Sequence, residues 1–538
     1  MDTFKIALTF SGGGYRAATF HLGVLTYLDT IKTHNSTLLQ HVAALSTISG
    51  GTITGLRYML GLSRGETVPE IFKKLYDFLL NTDLVTLALD NLSNYKKDQS
   101  ASLIRTMAGV YDKNLFDGAC LEDLMEKLEE THLSRFSANA TDFTHGLPFR
   151  FQLTEKIQSS AGTAFEYGFI GNNMIQLPRD VARHIHLSEI LACSSCFPSG
   201  FEPLVFPQDF CLGDSPEVKA YTSQTEPLGI MDGGIVDNQG IEPVLLAEQQ
   251  LKKDMPERKD KCLELIIISD VSSPYMDAYE PSDVKLPVGI RHLSLNKISK
   301  ILGCSEIITT GLAVSSFFCP IGYITEVLVV IWILTTLIWA AYGLVRKLII
   351  KAAKSSIIKQ SVSSVLNLQV GDIATLVANR VNSVLMLTTS VFMKHIRRLE
   401  YDRIYNDPAW KNRNITNTVY ELRQSERWES KIKEGKLPAD LAPTTLIQEN
   451  SDKAAAMGTT LWFTEEDKTK GIPDALIAAG QYTICWNLLE YIDKIKKDSS
   501  NLNDSHQGIL ECEARLKADW EKFQKDPLFK LKECKAVW

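Results

Sequence analysis

The sequence predicts an α/β fold built around a buried parallel sheet, with an apolar helical insertion in its second half. Three observations carry that reading. Phe4 to Phe10 is an apolar run that meets Ser11-Gly12-Gly13-Gly14 and is followed by a helix-like stretch ending near Leu28. Val42 to Ile48 is a second such run, meeting Ser49-Gly50-Gly51 before another helical stretch. Leu263 to Asp270, centred on Leu265-Ile266-Ile267-Ile268, has the unbroken hydrophobicity of a strand buried on both faces.

The turns between these elements carry the chemistry. Three successive glycines can bring bare backbone N–H groups against an anion at a helix N-terminus, as an oxyanion hole or a phosphate cradle; a plain flexible turn is the alternative. Thr47-Ile48-Ser49-Gly50-Gly51 fits a nucleophile elbow, in which a sharp strand-to-helix turn exposes one hydroxyl. Thr47 stands where the usual pattern has its first glycine, and Gly51 keeps the second. Ser49 is the candidate nucleophile, against a strand end with a glycine-capped helix start. Within Ile230 to Gly240, Asp232-Gly233-Gly234 places a carboxylate on a tight turn, either in a cleft or in solvent. Taken in this order the three segments supply an anion hole, a nucleophile and a base.

The segments FSGGGYRAATFHLGVL, STISGGTITG, YDKNLFDGACLEDLME, LACSSCFPSGFEPL and MDGGIVDNQGIEP together resemble the patatin-like phospholipases, serine acyl hydrolases that include the catalytic domain of animal cytosolic phospholipases. The resemblance runs from the N-terminus to about Ser273 and returns faintly from Leu461 to Gly480. It implies a three-layer α/β fold with a central, mostly parallel sheet. It also implies Ser49 as nucleophile, Asp232 as its base, and the backbone of Gly12, Gly13 and Gly14 as the oxyanion hole. Arg16 would then face the substrate phosphate or support that hole. No metal and no cofactor are needed for this chemistry.

Ten histidines raise the question of a triad. His21, on the first helix, is expected to be a packing or capping residue. His292, His395 and His506 follow Asp232 but sit in no comparable motif, so a Ser-Asp dyad is the expectation. Asp270, at the end of its strand, is a competing carboxylate. Cys193-Ser194-Ser195-Cys196 formally reads C-x-x-C, yet its setting favours a core or pocket wall over a redox pair.

At 538 residues the chain suggests several domains by length, whereas the motifs tie the first 270 or so into one unit. The expected division is a catalytic core over 1–300, an apolar insertion over 301–360, and a helical C-terminal region over 361–538, part of it packing on the core. A net charge of −7 argues against nucleic acid as a partner. No secretory signal is visible at Met1-Asp2, and ten cysteines without regular spacing suit a reducing compartment. Pro69 to Tyr95 and Leu103 to Thr131 are expected to be amphipathic helices, Phe206 to Gly229 a polar loop, and Ile509 to Lys532 a highly charged helix.

Ile307 to Val345 holds one charge, Glu326, and Val327 to Val345 is an uncharged run of 19 residues. That length spans a hydrocarbon core of about 30 Å. Arg346, Lys347, Lys351, Lys354 and Lys359 follow, a basic flank that favours the cytoplasmic side. Ile307 to Thr325, broken by Pro320 and Gly322, is a poorer second run; a hairpin or re-entrant insertion between Glu306 and Arg346 is expected, against a single span or a buried helix. The expected protein is thus a membrane-associated hydrolase of phospholipids or other acyl-ester lipids, its catalytic domain in the cytoplasm. Lysophospholipase, lipase or acyltransferase activity, a non-catalytic lipid-binding scaffold, and a phage-defence effector with an unidentified small-molecule activator are the alternatives.

Overall fold

Glycine-bounded apolar runs become strands, and the helices that follow them cover the sheet. The computed structural model describes residues 4–34, 36–93, 102–155, 157–158, 164–165, 168–198, 200–254, 263–276, 278–318, 323–355, 366–424, 426–497 and 507–538. Contacts divide the chain into a larger unit, residues 1–275 with 391–538, and a smaller one, residues 276–390. The larger unit begins with β1 (Ile6–Phe10), α1 (Gly14–Thr30), β2 (Val42–Ile48), α2 (Gly50–Ser63), β3 (Arg135–Asp142), β4 (Leu147–Thr154) and β5 (Gly168–Gly171). It continues through α3 (Leu187–Ser195), β6 (Leu204–Phe206), β7 (Leu228–Asp232), α4 (Ile241–Asp254) and β8 (Leu265–Asp270). The smaller unit holds α5 (Leu295–Phe318), α6 (Tyr323–Ser355) and α7 (Val370–Met386), after which α8 (Phe392–Asn406), β9 (Asn414–Thr418) and α9 (Ile472–Lys497) belong to the larger unit.

Nine strands form one mixed sheet, with β9-β8-β1-β2-β3-β4-β5 in order. The first five are parallel to one another, and β4 and β5 are antiparallel additions. Side-chain alternation sets the layers. Ile6, Leu8, Phe10, Leu265 and Ile267 join the core that contains α1, α2 and α9, whereas Ala7, Ala44, Ile266 and Ile268 pack with α4 and α8 on the other face. The result is helix, sheet, helix, the three-layer α/β arrangement.

Two strands share one edge of β3. β2 pairs with it as far as Ile48 opposite Asn139. β7 runs the other way along the same edge and ends with Asp232 opposite Ala140, because β4 occupies the opposite edge throughout. The ends of β2 and β7 therefore meet head to head.

β9 was not foreshadowed by any hydrophobic run. Asn414-Ile415-Thr416-Asn417-Thr418 is an edge strand, paired on one side only, so its pairing with β8 and not its pattern makes it a strand. The polar stretch after Phe206 contains a short helix, Pro216–Thr222. Leu103 to Thr131 is not one long helix: the first helix ends at Tyr111, and Asp117 and Gly118 adopt positive φ of 52° and 74°. The C-terminal charged segment breaks into Glu513–Lys525 and Phe529–Lys535, and Leu516, Trp520 and Phe523 are buried in the core. Pro320, Gly322 and His506 lie outside the described residues.

In the smaller unit, α5 and α6 run antiparallel and contact each other through polar groups. Thr309 and Thr335 hydroxyls lie 2.9 Å apart, the Trp332 indole N–H donates to Thr310 at 2.9 Å, and Thr336 donates to Glu306 at 2.7 Å. Three helices, not two, have the length and composition to cross a membrane: Leu295–Phe318, Tyr323–Leu348 and Val370–Asn406. Asp372 and Arg380 interrupt the third and hide it from a search for uncharged runs.

α1 and α9 pack in close backbone contact in the larger unit. A Cβ on Gly23 would lie 2.1 Å from the carbonyl of Ile477, and one on Gly480 would lie 2.1 Å from that of Phe20. Alanine favours a helix over glycine by about 1 kcal/mol, but overpacking a fixed interface costs about 1–3 kcal/mol. Gly23→Ala should therefore lower the melting temperature in detergent, whereas Gly311→Ala, whose new methyl meets nothing within 4 Å, should not. Equal melting curves for the two variants would show that the α1–α9 contact is not tight.

Candidate active site

Ser49 ends β2 and begins α2 with φ 48° and ψ −119°, a conformation a non-glycine side chain rarely adopts. Such backbone costs about 1–3 kcal/mol and persists only where neighbours enforce it. Here the enforcing group is Ser194 on α3. Its hydroxyl accepts from the Ser49 N–H at 2.9 Å and donates to the Asn139 carbonyl at 2.7 Å. Thr52 Oγ1 sits 2.8 Å from the same hydroxyl and 3.1 Å from Thr47 Oγ1. Thr47 fits at the elbow because its Cγ2 occupies the space of the side chain that Gly55 lacks: a Cβ there would lie 2.3 Å away.

The glycine loop lies directly on this elbow. A Cβ on Gly50 would come within 2.1 Å of the Gly14 carbonyl, and one on Gly12 within 3.2 Å of Ser49 Cβ. Gly13 and Gly14 take φ values of 144° and 59°, which the absence of a side chain permits. The Gly12 N–H donates to the Asn238 carbonyl at 3.1 Å, and Tyr15 N–H to the Thr460 carbonyl at 2.8 Å. Asn238 also donates from Nδ2 to Ser272 at 2.7 Å, so one residue, through its backbone carbonyl and its side chain, links the turn after Asp232, the glycine loop and the segment after β8.

Asp232 is 2 % exposed and Ser49 9 %. Asp232 Oδ1 accepts from the Gly234 N–H at 2.7 Å, while Oδ2 is buried without a hydrogen-bond partner among the described residues. Burial raises the carboxyl to about 6, against the opposing pull of the Ser49 hydroxyl and the Gly234 N–H. No closed Ser49–Asp232 hydrogen bond is present, but the two groups are near enough to influence each other. Met393, on α8, packs its Cε 3.1 Å from the site of a Gly234 Cβ.

Other residues singled out in the sequence have different roles. His21 is fully buried and stacked on Phe10 with centroids 4.4 Å apart; its nitrogens meet Ser269 Oγ at 2.9 Å and the Ser11 carbonyl at 3.1 Å. Burial lowers its pKa to about 3, so it is a neutral packing residue. Asp270 accepts from Arg397 at 2.8 Å, Tyr401 at 3.0 Å and Ser272 N–H at 2.8 Å, and despite its burial the Arg397 guanidinium keeps it below the usual carboxylate range. A carboxylate so fully engaged is no rival to Asp232. His292 belongs to the smaller unit and pairs with Gln369 at 3.1 Å, and His395 is exposed on α8. Among the described residues no histidine hydrogen-bonds Ser49 or Asp232.

Cys193 and Cys196 are free, buried thiols whose pKa values burial pushes up, the opposite of a redox pair. Arg16 is 9 % exposed, and its Nη1 donates to the Met457 carbonyl at 2.8 Å and to Tyr420 at 3.1 Å. It thereby fixes the start of α1 to the C-terminal segment that also receives Tyr15. A cavity of about 1140 Å³ lies beside β9, lined by Tyr401, Tyr405 and Tyr420 among others; neither Ser49 nor Asp232 borders it.

The model of the patatin-like phospholipase family matches residues 8–245. No protein of curated function matches the chain. Among solved structures, human GIVD cytosolic phospholipase A2 is similar at 13 % identity and a TM-score of 0.29, over 50 % of this chain and 43 % of that one. The same human protein in complex with methyl gamma-linolenyl fluorophosphonate gives 16 % identity and a TM-score of 0.30, over 50 % and 40 %. The chain thus spans less than half the length of those proteins. With the glycine loop, the elbow serine and the Asp-Gly-Gly turn all inside the matched segment, residues 8–245 belong to the patatin-like phospholipases, a family of lipid acyl hydrolases.

Proposed function

We propose that the protein is a membrane-associated phospholipase that cleaves acyl esters of glycerophospholipids with a Ser49–Asp232 dyad. One observation carries the reading: a serine held at positive φ stands beside a buried carboxyl whose Oδ2 has no partner among the described residues. Asp232, ionised above about pH 6, takes the Ser49 proton as Oγ bonds to the ester carbonyl carbon. The charge that develops on the carbonyl oxygen is received by the N–H groups of Gly13 and Gly14; Gly12, its N–H given to Asn238, serves as the close-fitting spacer. Asp232 then returns the proton to the departing lysophospholipid oxygen. Water attacks the acyl-enzyme with Asp232 again as base, releasing the fatty acid and restoring Ser49. Lysophospholipase, lipase and acyltransferase chemistry would use the same groups with another substrate or acceptor. Thr47 lends nothing to a non-catalytic reading, since Gly55 makes room for it.

Ser49→Ala and Asp232→Asn should each lower kcat/KM by ~10³-fold or more, and Ser49→Ala should abolish labelling by a fluorophosphonate probe. Retained labelling in Ser49→Ala would move the nucleophile elsewhere. The Asp232 carboxyl has its ordinary value of 3.8 in the unfolded chain and about 6 in the fold, so its burial costs stability as pH rises between those values. Asp232→Asn should accordingly melt higher than the parent at pH 7.5 while remaining inactive; a lower melting temperature would mean that the ionised carboxylate is satisfied after all.

The same carboxyl sets the acid limb of the pH profile. On a soluble ester, kcat/KM should rise with pH through an apparent pKa near 6. A limb near the ordinary carboxylate value would show that Asp232 is not desolvated in the working enzyme.

Arg16 acts through position, its Nη1 being committed to Met457 and Tyr420. Arg16→Lys should reduce turnover of a phospholipid and of a neutral p-nitrophenyl ester by the same factor. A selective loss on the phospholipid would instead put the guanidinium on the substrate phosphate.

A further inference from the structure

The smaller unit has the polarity of a membrane hairpin. Its polar side chains point inward, where Glu306, Thr309 and Thr310 on α5 meet Thr336, Thr335 and Trp332 on α6. Its outer surface is apolar: Ile307, Phe317, Leu334, Leu337 and Leu344 are more than half exposed. Water would select the reverse arrangement, whereas in hydrocarbon interhelical hydrogen bonds hold helices together and lipid solvates the outside. The 24 residues of α5 and the 26 from Tyr323 to Leu348 extend about 36 and 39 Å, enough to cross a core of about 30 Å. Glu306 is turned toward Thr336, which lowers the cost of an acid at that depth.

How many of the three long helices cross is decided by the sheet. β8 precedes them and β9 follows them, yet the two strands pair in parallel over Ile266–Asn414 to Asp270–Thr418. One sheet cannot stand on both sides of a bilayer. The chain must therefore cross an even number of times between Asp270 and Asn414, and three apolar helices cannot all be spans.

The third helix differs from the other two. On α7 the polar residues Asp372, Asn379 and Asn382 share one face, and Asn379 and Asn382 bond Ser282 within the same unit. The opposite face presents Val377, Val381, Val384 and Leu385, between 42 % and 58 % exposed. That is the pattern of a helix lying in a membrane interface. Its continuation, α8, carries Lys394, Arg397, Arg398 and Arg403 and packs within the larger unit, where Arg397 binds Asp270.

We propose that α5 and α6 cross the bilayer as a two-pass hairpin and that α7 lies along the cytoplasmic face of the same bilayer through its Val377, Val381, Val384 and Leu385 face. Lys297, Lys300, Arg346 and Lys347 mark the base of the hairpin as cytoplasmic, and Glu326 marks its distal end. This inference rests on the membrane-associated reading above but not on the dyad.

Intact cells expressing the full chain with Cys304 and Cys319 changed to serine provide the test, using an impermeant maleimide. Tyr323→Cys, at the distal end, should be labelled from outside. Leu376→Cys and Glu465→Cys, on α7 and on the larger unit, should be labelled only after permeabilisation. Outside labelling of either of those two, or the absence of labelling at Tyr323→Cys, overturns the two-pass arrangement, as does release of the parent protein by alkaline carbonate. Ester hydrolysis by the detergent-solubilised protein, measured in parallel, separates a failed topology from a failed enzyme: activity with wrong labelling rejects only the former, and correct labelling without activity rejects only the latter.

Discussion

The site depends on a constraint in the sheet: β2 and β7 compete for one edge of β3. Each can occupy only part of it, and they divide it between Asn139 and Ala140. Ser49 and Asp232 are the residues at which the two strands give out. Their closeness is therefore a property of strand register, which a one-residue slip would destroy along with the burial of both strands. Asn139 adds to this from within β3, since its carbonyl receives the Ser194 hydroxyl that holds the Ser49 N–H. The glycine loop, α1 and α2 are then placed by close backbone contact, with no long side chain in between.

Much of this was legible in the sequence, for a physical reason. The elbow, the glycine triplet and the Asp-Gly-Gly turn each need special backbone geometry, and such geometry forces residue choice locally. Ser194, Asn139 and Asn238 act through partners 34 to 145 positions away, and nothing near them in sequence announces the contact. Ser194 even lay inside a string that suggested paired cysteines. Arg16 was visible as a cation beside an anion site, but its partners Tyr420 and Met457 come from the far end of the chain.

The same distinction explains the elements that were misjudged. β9 is an edge strand of polar residues that exists because β8 offers it a partner. α7 is long and apolar on one face only, so two charges were enough to hide it from a pattern that counts uncharged runs. Within Leu461 to Gly480, Gly480 of α9 must meet α1 without a side chain.

The placement of β9 and α9 after the apolar helices also sets an order of events during synthesis. When Asp270 leaves the ribosome, the parallel sheet lacks its outer strand, and α1 lacks the helix that covers Gly23. α5 and α6 emerge next, before either missing piece exists. The nascent chain delivers its apolar helices first and closes its α/β layers last, because domains complete their packing only when all of their segments have been made. The loop that Arg16 braces gains its partners Tyr420 and Met457 after β9 and before α9. A protein arranged this way cannot be assembled before its apolar helices have been synthesised, so the timing of its maturation is written into the order of its strands.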